Sequence, residues 1–213
     1  NGTNFKYPDN AAELKKLAIE KFNIDEKSKN LLYVGQLRYV KNLKLVLNVV
    51  KELVNIDPTY HMYFVGEGLD EQDMRLFVKK NNLENNIHFL GKINDVSLLS
   101  GVYSAANLFF FPSTYDNASI AVREACTMKT PCLLTINSSV AEPFTDGYNG
   151  YLAHDTIEDM KNKILDIFNK KELEKIGECA SKTIPISFET MAENTYAQYE
   201  KTISNYNKKH KRK

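Results

Sequence analysis

The amino-acid sequence predicts an α/β protein in which a parallel sheet is flanked by helices, and three observations carry that prediction. Short apolar runs rich in β-branched and aromatic residues alternate with longer segments of helical period, the pattern of repeated strand–helix–strand units. No internal repeat or Gly/Ser linker interrupts the alternation over 213 residues, of which 43% are hydrophobic, 11% aromatic and 26% charged, as in one ordinary globular domain. A chain of this size buries roughly 70% of the surface it exposes when unfolded, so its core needs neither disulfide nor metal. No apolar run approaches the length of a membrane span.

The elements follow in order. The run at 31–35, Leu-Leu-Tyr-Val-Gly, is too short for a helix and closes on a glycine, so it reads as a strand. Leu43, Leu45, Val46, Val49, Val50 and Leu53 then recur at helical spacing and form one apolar stripe. A second strand is expected at 61–66, followed by a helix whose stripe is Met74, Leu76, Phe77 and Leu83. The third strand, 87–91, precedes a helix carrying Leu98, Leu99, Val102, Tyr103 and Ala106. Strands at 108–112 and 132–136 complete the set. After residue 150 the pattern turns wholly helical, with helices expected near 156–169, 171–182 and 187–206.

The formal net charge of +1 conceals an asymmetry, because residues 208–213 hold five of the 28 Lys and Arg and no acid; without them 23 bases face 27 acids, a net −4. A mildly acidic body lacks the basic face that nucleic acid requires. The tail has the chemistry to meet anionic lipid or phosphate, although a solvated terminus has the same composition. Cys126, Cys132 and Cys179 are odd in number and lack C-x-x-C spacing, and His61, His88, His154 and His210 are scattered without ligand spacing. This argues against a disulfide framework and a zinc site and favours a reducing, cytosolic setting. His61 and His88 fall at strand positions and are expected to be partly buried there. The chain opens on Asn1, with no basic and apolar leader, so it is expected to be part of a longer or processed protein without a signal peptide.

Chemistry in such a fold gathers beyond the carboxyl ends of the strands. The first end, Gly35-Gln36-Leu37-Arg38-Tyr39-Val40-Lys41-Asn42, sets two cations just before a helix, where an anion would meet both positive side chains and helix N–H groups. The second, Gly66-Glu67-Gly68, reads as a flexible turn; the full G-x-G-x-x-G fingerprint is absent, which counts against a nicotinamide or flavin dehydrogenase. The fourth runs from Phe109 through Pro112, Asp116, Ala118 and Ser119 to Glu124. Small residues there let a ligand approach the next helix, and the two carboxylates could lie on the order of 10 Å apart, flanking a helix N-terminus that favours phosphate. One acid can accept hydrogen bonds from a hexose and the other from a ribose, with a diphosphate between them. Asp116 fits equally as a turn-forming aspartate, and Glu124 as a surface helix residue.

The segment Asp116–Glu124 resembles the acidic motif of family 4 glycosyltransferases of the GT-B fold, two glutamates separated by seven residues, with Asp116 at the first position and Glu124 at the second. The resemblance extends over most of the chain. Gly35-Gln36-Leu37 with Lys41 looks like the family's Gly-Arg-Leu and Lys segment, and Phe64-Val65-Gly66-Glu67-Gly68 and Phe89-Leu90-Gly91 look like its second and third strand ends. Thr130-Pro131-Cys132, Glu142-Pro143 and Asp146-Gly147-Tyr148-Asn149-Gly150-Tyr151-Leu152 look like the stretch after the acidic motif, and Asn1-Gly2 resembles the end of an interdomain linker.

The resemblance implies a Rossmann-like domain, residues 1–206, forming the C-terminal, donor-binding half of a GT-B fold, with a basic tail at 207–213 and an N-terminal acceptor domain outside this chain. It implies that Asp116 meets the donor hexose, that Ser119 and Ile120 meet hexose and phosphate, that Glu124 holds the ribose, and that Lys41 neutralises the departing diphosphate. Gly35, Gln36, Arg38, Gly66 and Gly91 would border the donor, and Lys92 and Ile93, just after Gly91, the base. Members are retaining enzymes without a metal, so no cofactor is expected; the partners would be a nucleotide-sugar donor, UDP-hexose favoured, and a glycan or lipid acceptor. The setting would be cytoplasmic, with the basic tail reaching the inner membrane face. Two departures matter: Gln36 replaces the usual phosphate-binding arginine, and aspartate at 116 is one methylene shorter than glutamate. They keep open a non-catalytic nucleotide-sugar-binding domain, while the shared nucleotide site keeps open a GT-B-type sugar-nucleotide epimerase; product analysis separates all three.

Overall fold

The computed structural model describes residues 5–210, with side chains from 5 to 206. The side chains of the basic run at 208–213, and Asn1-Gly2, therefore lie outside the described residues. Six strands form one sheet: β1 Lys29–Val34, β2 Tyr60–Val65, β3 Ile87–Phe89, β4 Leu108–Phe111, β5 Cys132–Thr135 and β6 Tyr151–Ala153. Their order is β3-β2-β1-β4-β5-β6, and every neighbouring pair is parallel. The helices are α1 Ala11–Phe22, α2 Leu43–Ile56, α3 Glu71–Lys80, α4 Val96–Ala105, α5 Ile120–Thr127, α6 Ile157–Lys170, α7 Leu173–Thr183 and α8 Phe188–His210.

β4 and β5 are buried along their whole length, which is why their sequences are continuous apolar runs instead of alternating ones. The expected α2 stripe is buried at all six positions. In α3, by contrast, Leu76 is 64% exposed while Met74 and Val78 are buried, because the face that meets the sheet runs through 74 and 78. The glycines expected to end β1, β2 and β3 lie just beyond them, at φ +155° (Gly35), +132° (Gly66) and +70° (Gly91).

Two elements depart from the sequence reading. The region after residue 150 is not wholly helical: β6 pairs with β5, Leu133 opposite Tyr151. Three residues are too few to show a period, and the strand is set by the turn before it, where the Gly147 N–H donates to the Gly150 carbonyl at 2.8 Å and the Leu152 N–H to Asp146 Oδ1 at 2.8 Å. The unanticipated α1 packs on α4 through fully buried Ala18, while Leu17 stays 49% exposed; so narrow an apolar stripe gives a weak periodic signal. The long final helix extends to His210 and is almost wholly exposed from Phe188 to Tyr206.

Candidate functional site

In an all-parallel sheet of this order, β1 and β4 are the neighbours from which the chain proceeds in opposite directions, and the crevice beyond their carboxyl ends is the natural ligand position. The two loops of greatest interest in the sequence, 35–42 and 112–119, leave from those strands. They meet directly. Lys41 Nζ lies 2.6 Å from Asp116 Oδ1, although 75 residues separate them. Ser113, itself buried, donates its hydroxyl to the other oxygen, Asp116 Oδ2, at 2.6 Å, and the Lys41 ammonium stands 4.8 Å from the centre of the Tyr115 ring. Asn42 ties the loops from the other side, its Nδ2 donating to the Pro112 carbonyl at 3.4 Å. Arg38 is exposed and forms no ion pair among the described residues. Lys41 is therefore the cation that the fold holds in place.

The 35–42 loop keeps its shape through packing. Tyr33 on β1, fully buried, donates its hydroxyl to the Gln36 carbonyl at 3.1 Å; burial and the nearby Asp116 charge raise its pKa. Gly66-Glu67-Gly68 is not the flexible turn expected. Gly35 N–H donates to the Val65 carbonyl and Leu37 N–H to the Glu67 carbonyl, both at 3.0 Å, so the loops after β1 and β2 continue the sheet pairing. A Cβ on Gly66 would overlap the Gly35 carbonyl oxygen, and one on Gly68 the Leu37 carbonyl oxygen. These glycines serve close backbone approach more than freedom.

A cleft of about 390 Å³ opens on these loops, bordered by Gly35, Gln36, Gly66, Lys92, Ile93 and Leu99. It gathers five of the residues expected to border the donor or its base. Gly91 precedes it, with open space where a Cβ would stand. Ser119 is the N-cap of α5, its hydroxyl accepting from the Val122 N–H at 3.4 Å, and Ile120 is exposed as the first helical residue. Ser119 borders a different cleft, of about 430 Å³, toward Arg123, Glu142 and Phe144.

Glu124 is partly buried, and burial pushes its carboxyl above the ordinary glutamate value, against the pull of a hydrogen bond from the Tyr103 hydroxyl to Oε2 at 2.9 Å. It is therefore no freely solvated helix residue. Sequence reasoning missed Ser113, Asn42, Tyr115 and the polar role of Tyr103. Ser113 stands three residues before Asp116, a spacing at which a hydroxyl reaches a carboxylate, whereas Tyr103 reads only as part of an apolar stripe. Asn149, from the stretch after the acidic motif, is structural: it is buried, accepts from the Thr145 N–H at 2.7 Å and donates to Thr183 Oγ1 at 3.1 Å.

Comparison with known proteins finds relatives in sequence and in fold. The N-acetyl-alpha-D-glucosaminyl L-malate synthase of Bacillus anthracis is 25% identical over 184 residues, covering 85% of this chain and 46% of that protein. Among solved structures, a sucrose-phosphate synthase from Thermosynechococcus elongatus superposes with a TM-score of 0.77 at 21% identity, covering 96% of this chain and 52% of that one. The Anabaena protein Alr3699/HepE, solved in complex with UDP and glucose, superposes with a TM-score of 0.74 at 19% identity, covering 96% and 55%. At these identities the solved structures show the fold alone. The chain spans less than half the length of the curated relatives it matches, between 34% and 46% for the first four. The family described as "Glycosyl transferases group 1" matches residues 15–183, most of the length, and the chain belongs to it.

Proposed function

We propose that this chain is the donor-binding domain of a retaining, family 4 glycosyltransferase, which moves a hexose from a nucleotide sugar, UDP-hexose foremost, to a hydroxyl of a glycan or lipid acceptor held by a further domain. The observation that carries the reading is the meeting of Lys41 and Asp116 at the β1/β4 crevice, with a partly buried carboxylate, Glu124, on the helix that follows. Its chemistry is an exchange of partners. When the donor arrives, the Lys41 ammonium passes from Asp116 to the diphosphate, and the freed carboxylate accepts from hexose hydroxyls. Gly35 and Gln36 bring backbone close to the phosphates, Lys92 and Ile93 border the base, the N–H groups opening α5 face the sugar phosphate, and Glu124 holds the ribose. Rate would come from positioning and from neutralising the departing diphosphate, with no metal required.

A relative named N-acetyl-alpha-D-glucosaminyl L-malate synthase and a structural neighbour solved with UDP and glucose support this reading. The exposed stripe Tyr196, Tyr199 and Ile203 on α8 is assigned to contact with the further domain, so the isolated chain binds donor without turnover. The proposed setting is cytoplasmic, with the basic tail at the membrane face. Among the described residues no helix is long and apolar enough to cross a membrane.

The test is titration calorimetry with UDP and UDP-glucose. Glu124→Ala should weaken both ligands, which share the ribose, and Asp116→Ala only the sugar-bearing one, each by roughly ten- to a hundredfold. Unchanged affinities for both ligands in folded variants would remove the two acids from the site.

A further inference from the structure

Tyr103 is fully buried on α4, with its ring 5.8 Å from that of Phe109 and 6.0 Å from that of Phe5. Its main chain is fixed as well, since its carbonyl accepts from the Thr130 hydroxyl at 2.7 Å. From this immobile mount its hydroxyl donates to Glu124 Oε2 at 2.9 Å. The opposite oxygen, Oε1, accepts no hydrogen bond among the described residues and is not one of the enclosed, unpaired atoms. One helical turn before Tyr103, Leu99 borders the cleft shared by Gly35, Gly66 and Ile93. The phenol thus anchors the acid from the core side, and the cleft opens one helical turn along α4 from Tyr103.

We infer that Tyr103 is a positioning residue for nucleotide recognition: its hydroxyl clamps one oxygen of Glu124 and presents the other to the vicinal hydroxyls of a ribose. The inference rests on the proposed role of Glu124. Its physical basis is that a carboxylate held by a preorganised donor loses less freedom on binding than a free one. The clamp has an electrostatic side too. Burial raises the Glu124 pKa and the Tyr103 hydrogen bond lowers it, so the tyrosine helps keep the acid ionised as an acceptor. Among the described residues no cation does this instead: the neighbouring Arg123 donates its Nη1 to the Ile184 carbonyl at 2.8 Å. From α5 and β5, the buried Cys126 and Cys132 face Tyr103, whose own pKa is raised well above normal by burial and by Glu124. Tyr103 remains a donor.

The experiment compares UDP with 2′,3′-dideoxy-UDP on the full chain, in wild type, Tyr103→Phe and Glu124→Gln, between pH 5.5 and 8.5. Phenylalanine keeps the ring and its packing, and circular dichroism checks the fold. The wild type should prefer UDP, and Tyr103→Phe should weaken UDP by about tenfold while changing 2′,3′-dideoxy-UDP by less than about twofold. The UDP loss should be greater at pH 5.5 than at pH 8.5, because removing the phenol raises the Glu124 pKa further and extends its protonated range upward. A purely structural role would weaken both nucleotides alike at every pH, and that result would overturn the inference. If Glu124→Gln leaves the affinity for UDP intact, or if UDP, GDP and ADP all fail to bind, the ribose reading itself is wrong. If Glu124→Gln weakens UDP but Tyr103→Phe does not, only the positioning role fails.

Discussion

Lys41 and Asp116 are chemically complementary to a phosphate and a sugar, but in the ligand-free protein they satisfy each other. Their side chains are only 14% and 23% exposed, so the pair is partly desolvated, and losing either partner strands the other where water screens it poorly. Lys41→Ala and Asp116→Ala should each lower stability by on the order of 1–2 kcal/mol, and the double variant should fall short of their sum by about 0.5–2 kcal/mol. Urea denaturation of the four proteins measures this, and strict additivity would show that the contact contributes nothing. In binding the two part company: Lys41→Ala should weaken UDP by about 1.5–3 kcal/mol, the value of a charge-assisted contact, whereas Asp116→Ala releases the ammonium and should leave UDP affinity no lower. The candidate residues themselves were legible, since Lys41, Asp116 and Glu124 stand out by type and spacing. Their partners were not, because Ser113 and Tyr103 carry no charge that marks them.

At the scale of elements, the loops after β1 and β2 behave as one stacked unit, and glycines decide how closely they approach. Gly66 combines φ +132° with a Cβ position that would overlap the Gly35 carbonyl oxygen. Gly91 has φ +70° but nothing within 4 Å of its would-be Cβ. The contrast isolates overlap from backbone strain. Gly91→Ala should cost only about 1–2 kcal/mol for the left-handed conformation, while Gly66→Ala should cost more than that, displace the Gly35–Gln36 backbone and weaken UDP binding. Denaturation midpoints and calorimetry on the two variants check the order, and equal costs would mean that the loops yield freely. The same packing explains why a Gly-x-Gly turn looked flexible in sequence: a glycine that permits mobility and one that permits contact are the same letter.

For the whole molecule, acid sensitivity should arise at the β2–β3 side of the sheet. His61 Nδ1 and His88 Nε2 lie 3.1 Å apart with ring planes 8° from parallel, and His88 stacks on Tyr63 at 4.7 Å. Burial lowers the pKa of both, and for His88 the neighbouring His61 lowers it further, while Asp25 opposes the effect at His61. A folded-state pKa below the unfolded value of about 6.5 means that the unfolded chain binds protons first, so stability present above that pH is lost as the pH falls through the folded values. Urea midpoints should therefore decline from pH 7 to 5, and His88→Phe, which keeps an aromatic ring beside Tyr63, should flatten the decline. An unchanged slope in the variant would place the acid sensitivity elsewhere.

The sequence by itself determined the α/β class, five of the six strands and the residue types of the site, because strands covered on both faces must be continuously apolar and because charge in a polar loop is visible wherever it falls. It left β6 and α1 unread: β3, equally short, lies in an apolar run that continues to Leu90, whereas β6 follows a polar turn, and a helix whose main buried anchor is an alanine shows only a faint stripe. Only the tertiary structure decided that β4 lies beside β1. The chain steps from the β3 edge back across the sheet, pairing Leu31 with Leu108, and that crossover sets Lys41 against Asp116. No local pattern encodes the step. It follows from burying both faces of the sheet at once, a requirement that belongs to the whole chain and to none of its segments.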